Sequence, residues 1–306
     1  MPRHISLLFP GQGSQSLDML STFSSSEINL ISNAANNVLD IDIIDHIKNG
    51  PEEILNQTSI TQPAILMTSY LYYRRFINDT GIVPDILAGH SLGEYTALLA
   101  SESFDLLTAI SLVHKRGKYM ENAESGSMYA ILNLDISNIK TICKEVEAIT
   151  GQIVSAANIN SNNQIVIAGN DNSTKIAADR CKEAGAKKCI QLKVSVASHC
   201  ALMSEAANLL EQELQSILIN KPKMTVLHNY DASHCKDSSD IKLKLKKQLF
   251  KPVQWVSIMN KIREYDGLVI ECGPGKVLSG LAKTNGINNI LSMTDLKFKD
   301  ELKQLL

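Results

Sequence analysis

The chain has 306 residues, 44% of them apolar and 20% charged, with a formal net charge of −2. That length can bury a sizeable core, and the near-neutral balance argues against the basic excess of a nucleic-acid-binding domain. Six cysteines without C-x-x-C spacing, and no apolar run of membrane length, point to reduced thiols in a cytoplasmic protein that neither spans nor enters a membrane.

ISLLF (5–9) reads as a buried strand that runs into the turn PGQGSQ; Pro10 and Gly11 cut it too short for a signal segment. Residues 27–40 and 62–78 read as helices, and DILAG (85–89) as a short strand. A helix follows Ser91 through EYTALLAS, and another runs from about Asp105 to Glu124. Strands followed by helices predict an α/β fold with a largely parallel sheet.

The pattern changes over 127–194. SMYAILNL (127–134) is strand-like and SNIKTICKEVEAIT (137–150) helix-like. QIVSAANI (152–159) and NQIVIAGN (163–170) form a strand pair joined by Asn160, Ser161 and Asn162. STKIAADRCKEAG (173–185) is helical and KKCIQLKV (187–194) a strand. The order βαββαβ is that of a ferredoxin-like unit. It predicts a subdomain over 127–194 inserted into a core made of 1–126 and 195–306. In the second core segment, 201–218 reads as one amphipathic helix, 224–228 as a strand and 240–250 as a basic helix. GLVIECGPGKVLSGL (267–281) reads as strand, glycine turn and helix. The charge run SDIKLKLKKQ is expected to be a solvated helix face.

GHSLGEY (89–95) contains the only G-x-S-x-G match. It follows a predicted strand and opens a predicted helix, as a nucleophile elbow requires; a capping serine in a glycine turn is the alternative. A serine nucleophile needs a base. His199 and His228 both sit at strand ends, where active groups of open α/β sheets gather, and local sequence does not choose between them. In the helix after Asp105, Arg116 borders the stripe of Leu106, Ile110, Val113, Gly117 and Met120. Such an arginine is either a structural ion pair or a clamp for a substrate carboxylate. PGQGSQ and GPGKVLSG both lack the G-K-[ST] of a phosphate loop, and no metal-ligand spacing occurs.

Seven stretches together resemble the malonyl-CoA:acyl carrier protein transacylases. They are FPGQGSQ (9–15), TQPAIL (61–66), GHSLGEYTAL (89–98), RGKYM (116–120), SVASHCALM (195–203), QLFKPVQW (248–255) and ECGPGKVLSGL (271–281). The resemblance implies an α/β-hydrolase-like core with an inserted ferredoxin-like subdomain. It implies that Ser91 is acylated, that His199 is its base, and that Arg116 binds the malonyl carboxylate. It further implies an oxyanion hole from the backbone N–H groups of Gln12 and Leu92, and a backbone carbonyl of Gln248 that orients His199. The expected reaction is ping-pong transfer of malonyl from malonyl-CoA to the phosphopantetheine thiol of acyl carrier protein, for fatty-acid elongation. The expected enzyme is a monomer without a cofactor of its own.

The loop ENAESGSMYA (121–130) is shorter than the family pattern, and VASH (196–199) leaves malonyl and methylmalonyl both open. A serine esterase or thioesterase on the same core is one rival, and Arg116 argues against it; a non-enzymatic carrier-protein-binding module is the other, and an intact Ser91, His199 and Arg116 argue against that. Carrier proteins are acidic, so Lys187, Lys188 and the lysines of 242–247 are docking candidates.

Overall fold

The computed structural model describes residues 4–194 and 196–305; Ser195, the first residue of the expected second core segment, lies outside them. β1 (Ile5–Phe9) leads into α1 (Ser25–Asn36), α2 (Ile43–Asn49), α3 (Glu52–Leu55) and the long α4 (Thr58–Thr80). β2 (Ile86–Gly89), α5 (Gly93–Ala100) and α6 (Leu106–Glu121) follow. Next come β3 (Ser127–Leu132), α7 (Ile136–Thr150), β4 (Val154–Ser161), β5 (Gln164–Gly169), α8 (Asp171–Glu183) and β6 (Lys188–Gln191). The chain closes with α9 (Ser204–Ser216), β7 (Thr225–Leu227), α10 (Ser238–Phe250), α11 (Trp255–Glu264), β8 (Leu268–Glu271), α12 (Val277–Thr284), β9 (Ile290–Ser292) and α13 (Phe298–Leu305).

The larger sheet has the order β7-β2-β1-β8-β9, and every pairing in it is parallel. All five residues of β1 are buried, because helices cover both faces of the sheet. Phe9 lies opposite Gly89, and Leu8 opposite both Ala88 and Glu271. The carboxyl ends of the central strands therefore coincide, and the loops that leave them meet.

The smaller sheet, β4-β5-β3-β6, is antiparallel, and α7 and α8 pack on it. Ile139, Cys143 and Val146 supply the buried stripe of α7 at i, i+4 and i+7. The fold is thus the α/β class expected, with a βαββαβ unit between two parts of a parallel-sheet core. Backbone bonds tie β4 to the segment between α10 and α11: Val253 N–H donates to the Ala157 carbonyl, and Ile159 N–H to the Val253 carbonyl, both at 2.9 Å.

Several boundaries differ from the sequence reading for local reasons. α1 starts at Ser25 because Ser24 caps it, receiving the Glu27 N–H while the Glu27 side chain reaches back. α4 extends beyond 62–78 despite Pro63, which has no N–H for the Ser59 carbonyl; His114 Nδ1 donates to that carbonyl instead, at 2.9 Å. β4 runs on to Ser161, so the turn is Asn162–Asn163 rather than 160–162. Residues 201–203 form a 3-10 turn before α9 instead of one helix to 218. The lysine run is not uniformly solvated. Lys244 is buried between Asp231 and Asp240, at 3.3 and 3.4 Å, and Lys246 pairs with Glu211. Among the described residues, no helix is long and apolar enough to cross a membrane.

Two glycines make a matched test. A Cβ on Gly93 would lie 2.0 Å from the Phe9 carbonyl oxygen, whereas one on Gly280, inside α12, meets nothing within 4 Å. Gly93→Ala should destabilise by roughly 2–3 kcal/mol. Gly280→Ala should be neutral or stabilise by up to about 1 kcal/mol. Thermal melting of the two variants checks both signs.

Candidate active site

The site starts at the end of β2. Ser91 has φ of +51°, a left-handed conformation that a non-glycine residue holds only under constraint. The constraint is visible. The Ser91 N–H donates to Asn229 Oδ1 at 2.6 Å, and Asn229 Nδ2 donates to the Gly89 carbonyl at 2.6 Å. Asn229 follows β7, so the neighbouring strand locks the turn. Gly89 and Gly93 are required because a Cβ on Gly89 would fall 1.8 Å from the Gly93 carbonyl carbon. The loop after β1 lies alongside: a Cβ on Gly11 would stand 2.5 Å from the His90 carbonyl oxygen and 3.8 Å from Leu92 N. Among the described residues, the backbone N–H groups of Gln12 and Leu92 donate to no protein acceptor. They are the two N–H groups expected of an oxyanion hole.

His199 meets the serine from the other part of the core. Its Nε2 lies 2.8 Å from Ser91 Oγ, and its Nδ1 lies 2.6 Å from the backbone carbonyl of Gln248. A carbonyl only accepts, so Nδ1 carries the proton and the Nε2 lone pair faces the hydroxyl. His199 is itself held at φ +64°, with its N–H bonded to the Leu249 carbonyl at 2.9 Å. Burial, and then the Arg116 cation, pull its pKa down to about 3 against the Gln248 hydrogen bond. The ring is neutral, as a base must be.

Arg116 is fully buried on α6. Nη1 donates to Gln62 Oε1 at 2.8 Å; Nη2 donates to Gln248 Oε1 at 3.1 Å and to Ser91 Oγ at 3.4 Å. Its Cζ stands 5.3 Å over the Tyr95 ring, and its Nε is buried without a partner. Among the described residues no carboxylate pairs with it directly. The structural ion pair that sequence alone allowed is therefore absent from the described residues. Burial pushes the guanidinium pKa down. The arrangement can bind an anion next to the serine hydroxyl.

The rival histidine is elsewhere. His228 is wholly buried below the site, with Nδ1 2.7 Å from Glu94 Oε1, and it bonds neither Ser91 nor His199. Glu94 Oε2 accepts from the Asn229 N–H at 2.9 Å and from Gln248 Nε2 at 2.8 Å. Glu94, Asn229, Gln62 and the side chain of Gln248 were not assigned from sequence. Glu94 gave one signal, a carboxylate in an otherwise apolar helix, which cannot be buried without donors. His90, next to the serine, turns away to Asn160 Oδ1 at 2.9 Å and packs edge-on to Trp255.

A cavity of about 250 Å³ opens over the pair, lined by Gln12, Ser91 and His199 from the core and Met128, Asn158 and Leu192 from the insert. A neighbouring cavity of about 410 Å³ shares Gln12, His90, Asn158 and Leu192. Among the described residues, no three His, Cys, Asp or Glu side chains group to hold a metal.

A family model described as the acyl transferase domain matches residues 7–267. The malonyl CoA-acyl carrier protein transacylase of Haemophilus influenzae is 42% identical over 289 residues, 92% of each chain. That of Bacillus subtilis is 39% identical, covering 91% of this chain and 89% of its own. The solved transacylase of Coxiella burnetii superposes with a TM-score of 0.95 at 37% identity, over 100% of this chain and 98% of its own. A type II polyketide acyl-carrier protein bound to its malonyl-transacylase contains a chain that superposes at 0.91 with 39% identity, over 99% of both. The chain belongs to the acyl transferase family and, within it, to the malonyl-CoA:acyl carrier protein transacylases.

Proposed function

We propose that this acyltransferase works by a ping-pong mechanism through a malonyl ester on Ser91. His199 Nε2 takes the proton from Ser91 Oγ as the oxygen attacks the thioester carbonyl. The tetrahedral oxyanion is held by the N–H groups of Gln12 and Leu92, each such donor typically contributing about 10²–10³ in rate. The imidazolium returns its proton to the departing CoA thiolate. The phosphopantetheine thiol of acyl carrier protein then gives a proton to His199 and attacks the ester, which frees Ser91. No step needs a resident cofactor. Gln248 orients His199 through its carbonyl, so no third carboxylate is needed to fix the tautomer.

The observation that carries this reading is the buried guanidinium 3.4 Å from the serine hydroxyl, with neutral partners only. A substrate carboxylate completes it, and a simple esterase has no use for it. Malonyl-CoA is accordingly the donor, and the names of the relatives support acyl carrier protein as acceptor. The long pantetheine arm needs room beside the serine, and the two neighbouring cavities, which share four lining residues, offer it. We further propose that residues 1–126 and 195–306 act as the catalytic core and 127–194 as the insert, in a cytoplasmic monomer serving fatty-acid elongation. Lys187, Lys188 and Lys193 are exposed, Lys193 on the cavity rim, and suit an acidic carrier better than Lys244 and Lys246, which are already paired.

Intact mass after brief exposure to malonyl-CoA should show a malonyl adduct on the wild type and none on Ser91→Ala. Added holo-carrier protein should remove it. Decay to free malonate with the carrier ignored would make the protein a hydrolase. Ser91→Ala should lower transfer at least about 10³-fold.

Arg116→Ala should weaken malonyl transfer by about 2–5 kcal/mol while acetyl transfer changes little, and Arg116→Lys should not rescue it. Equal malonyl transfer by the variant would refute the clamp.

The depressed pKa of His199 sets the pH profile. A base is lost as pH falls through its folded pKa, so the acid limb of kcat/KM should lie well below the usual histidine value of about 6.5. Arg116→Ala removes a neighbouring cation and should move that limb upward.

A further inference from the structure

Beneath the serine lies a layer of buried charge that the steps above do not use. Glu94 and His228 are both fully buried and meet at 2.7 Å. The amide of Gln248 stands between this pair and Arg116. Its Nε2 donates to Glu94 Oε2 at 2.8 Å, while its Oε1 accepts from Arg116 Nη2 at 3.1 Å. Glu94 is also the carboxylate whose field favours the charged form of Arg116. Opposite charges attract strongly at this separation from water. With nothing else to neutralise it, Glu94 would be the internal counter-ion of Arg116 and would compete with any carboxylate entering the site.

We propose that His228 is the dedicated counter-ion of Glu94, and that the pair thereby keeps the charge of Arg116 available for acyl groups that bear a free carboxylate. This rests on the reading of Arg116 as the carboxylate clamp. His228 and Glu94 act through Gln248 and Arg116 and touch no substrate, so they are positioning residues that set specificity. Burial and the nearby Lys244 cation disfavour the imidazolium, but the neighbouring Cys235 thiol and the Glu94 carboxylate, bonded at 2.7 Å, outweigh them and push His228 up to about 9. The buried site then holds two cations and one anion. Its net charge of one positive unit matches one incoming carboxylate.

The test is the ratio of kcat/KM for malonyl-CoA to that for acetyl-CoA, with holo-carrier protein as acceptor. His228→Asn keeps an N–H near Glu94 and removes the cation. Its malonyl-to-acetyl ratio should fall about tenfold, through KM for malonyl-CoA, with acetyl-CoA unaffected. Glu94→Gln removes the anion that holds the His228 proton, so its ratio should stay at or above that of the wild type. Glu94→Gln/His228→Asn restores the net charge and should recover the ratio to within about threefold of wild type. A purely structural role would leave the double variant no better than His228→Asn.

An unchanged ratio in His228→Asn, or no recovery in the double variant, overturns the proposal. If His228→Asn does not fold, as thermal melting would show, Glu94→Gln decides: retention supports the proposal and loss of the ratio overturns it. Arg116→Ala, measured alongside, separates the two readings. If it keeps the malonyl preference, the clamp itself is wrong. If it loses the preference while the His228 and Glu94 variants behave otherwise than stated, only the counter-ion proposal fails.

Discussion

Gln248 joins the parts of this site. Its carbonyl accepts the Nδ1 proton of His199, and its side-chain oxygen accepts from Arg116. Its amide nitrogen donates to the Ser91 carbonyl at 2.9 Å and to Glu94. One fully buried residue at the end of α10 thus fixes the His199 ring, steadies the arginine and braces the serine turn. A buried amide has two donors and one acceptor oxygen to satisfy, and here each is used. Such a network is worth more than isolated pairs, because every member fixes the rotamer of the next.

The parallel sheet supplies the frame on which that residue acts. β1, β2 and β7 lie side by side and point the same way. Their ends deliver Gln12, Ser91 and Asn229 to one edge. The constraint on Ser91 is therefore sustained by Asn229, 138 residues further on, just past the end of β7. A left-handed serine costs on the order of 1–3 kcal/mol and persists only where its surroundings over-determine it. The Asn229 side chain, bonded on both sides of the turn, is such a surrounding.

How much of this was legible in the sequence follows from range. The elbow was readable because its requirements are local: strand, two glycines, helix. The βαββαβ order was readable because its periodicities switch cleanly along 127–194. The choice between His199 and His228 was not readable from local chemistry, since each follows a strand-like run, although β6 in fact ends at Gln191, and their partners lie far away in sequence. His199 finds Ser91 across 108 positions, and His228 finds Glu94 across 134. Only the family resemblance separated them beforehand; it is His199 that lies within hydrogen-bond distance of Ser91. Lys244 was misread for the same reason: Asp240 is on its own helix, but Asp231 comes from the preceding loop and encloses it. Burial of a charge depends on what folds over it, which a charge run does not reveal.

The cavity walls come partly from the core and partly from the smaller sheet, which a backbone bridge at Val253 ties to the segment before α11. Ser91 follows β2 of the larger sheet, Arg116 comes from α6 and His199 from the loop before α9, while Met128, Asn158 and Leu192 reach in from the smaller sheet and its edge. The Ser91–His199 contact and much of the chamber wall thus come from separate stretches of chain. Substitutions or small rotations in the insert can widen or narrow the chamber while the 2.8 Å contact between base and hydroxyl stays intact. Such an architecture lets lineages diversify what they load without rebuilding how they load it.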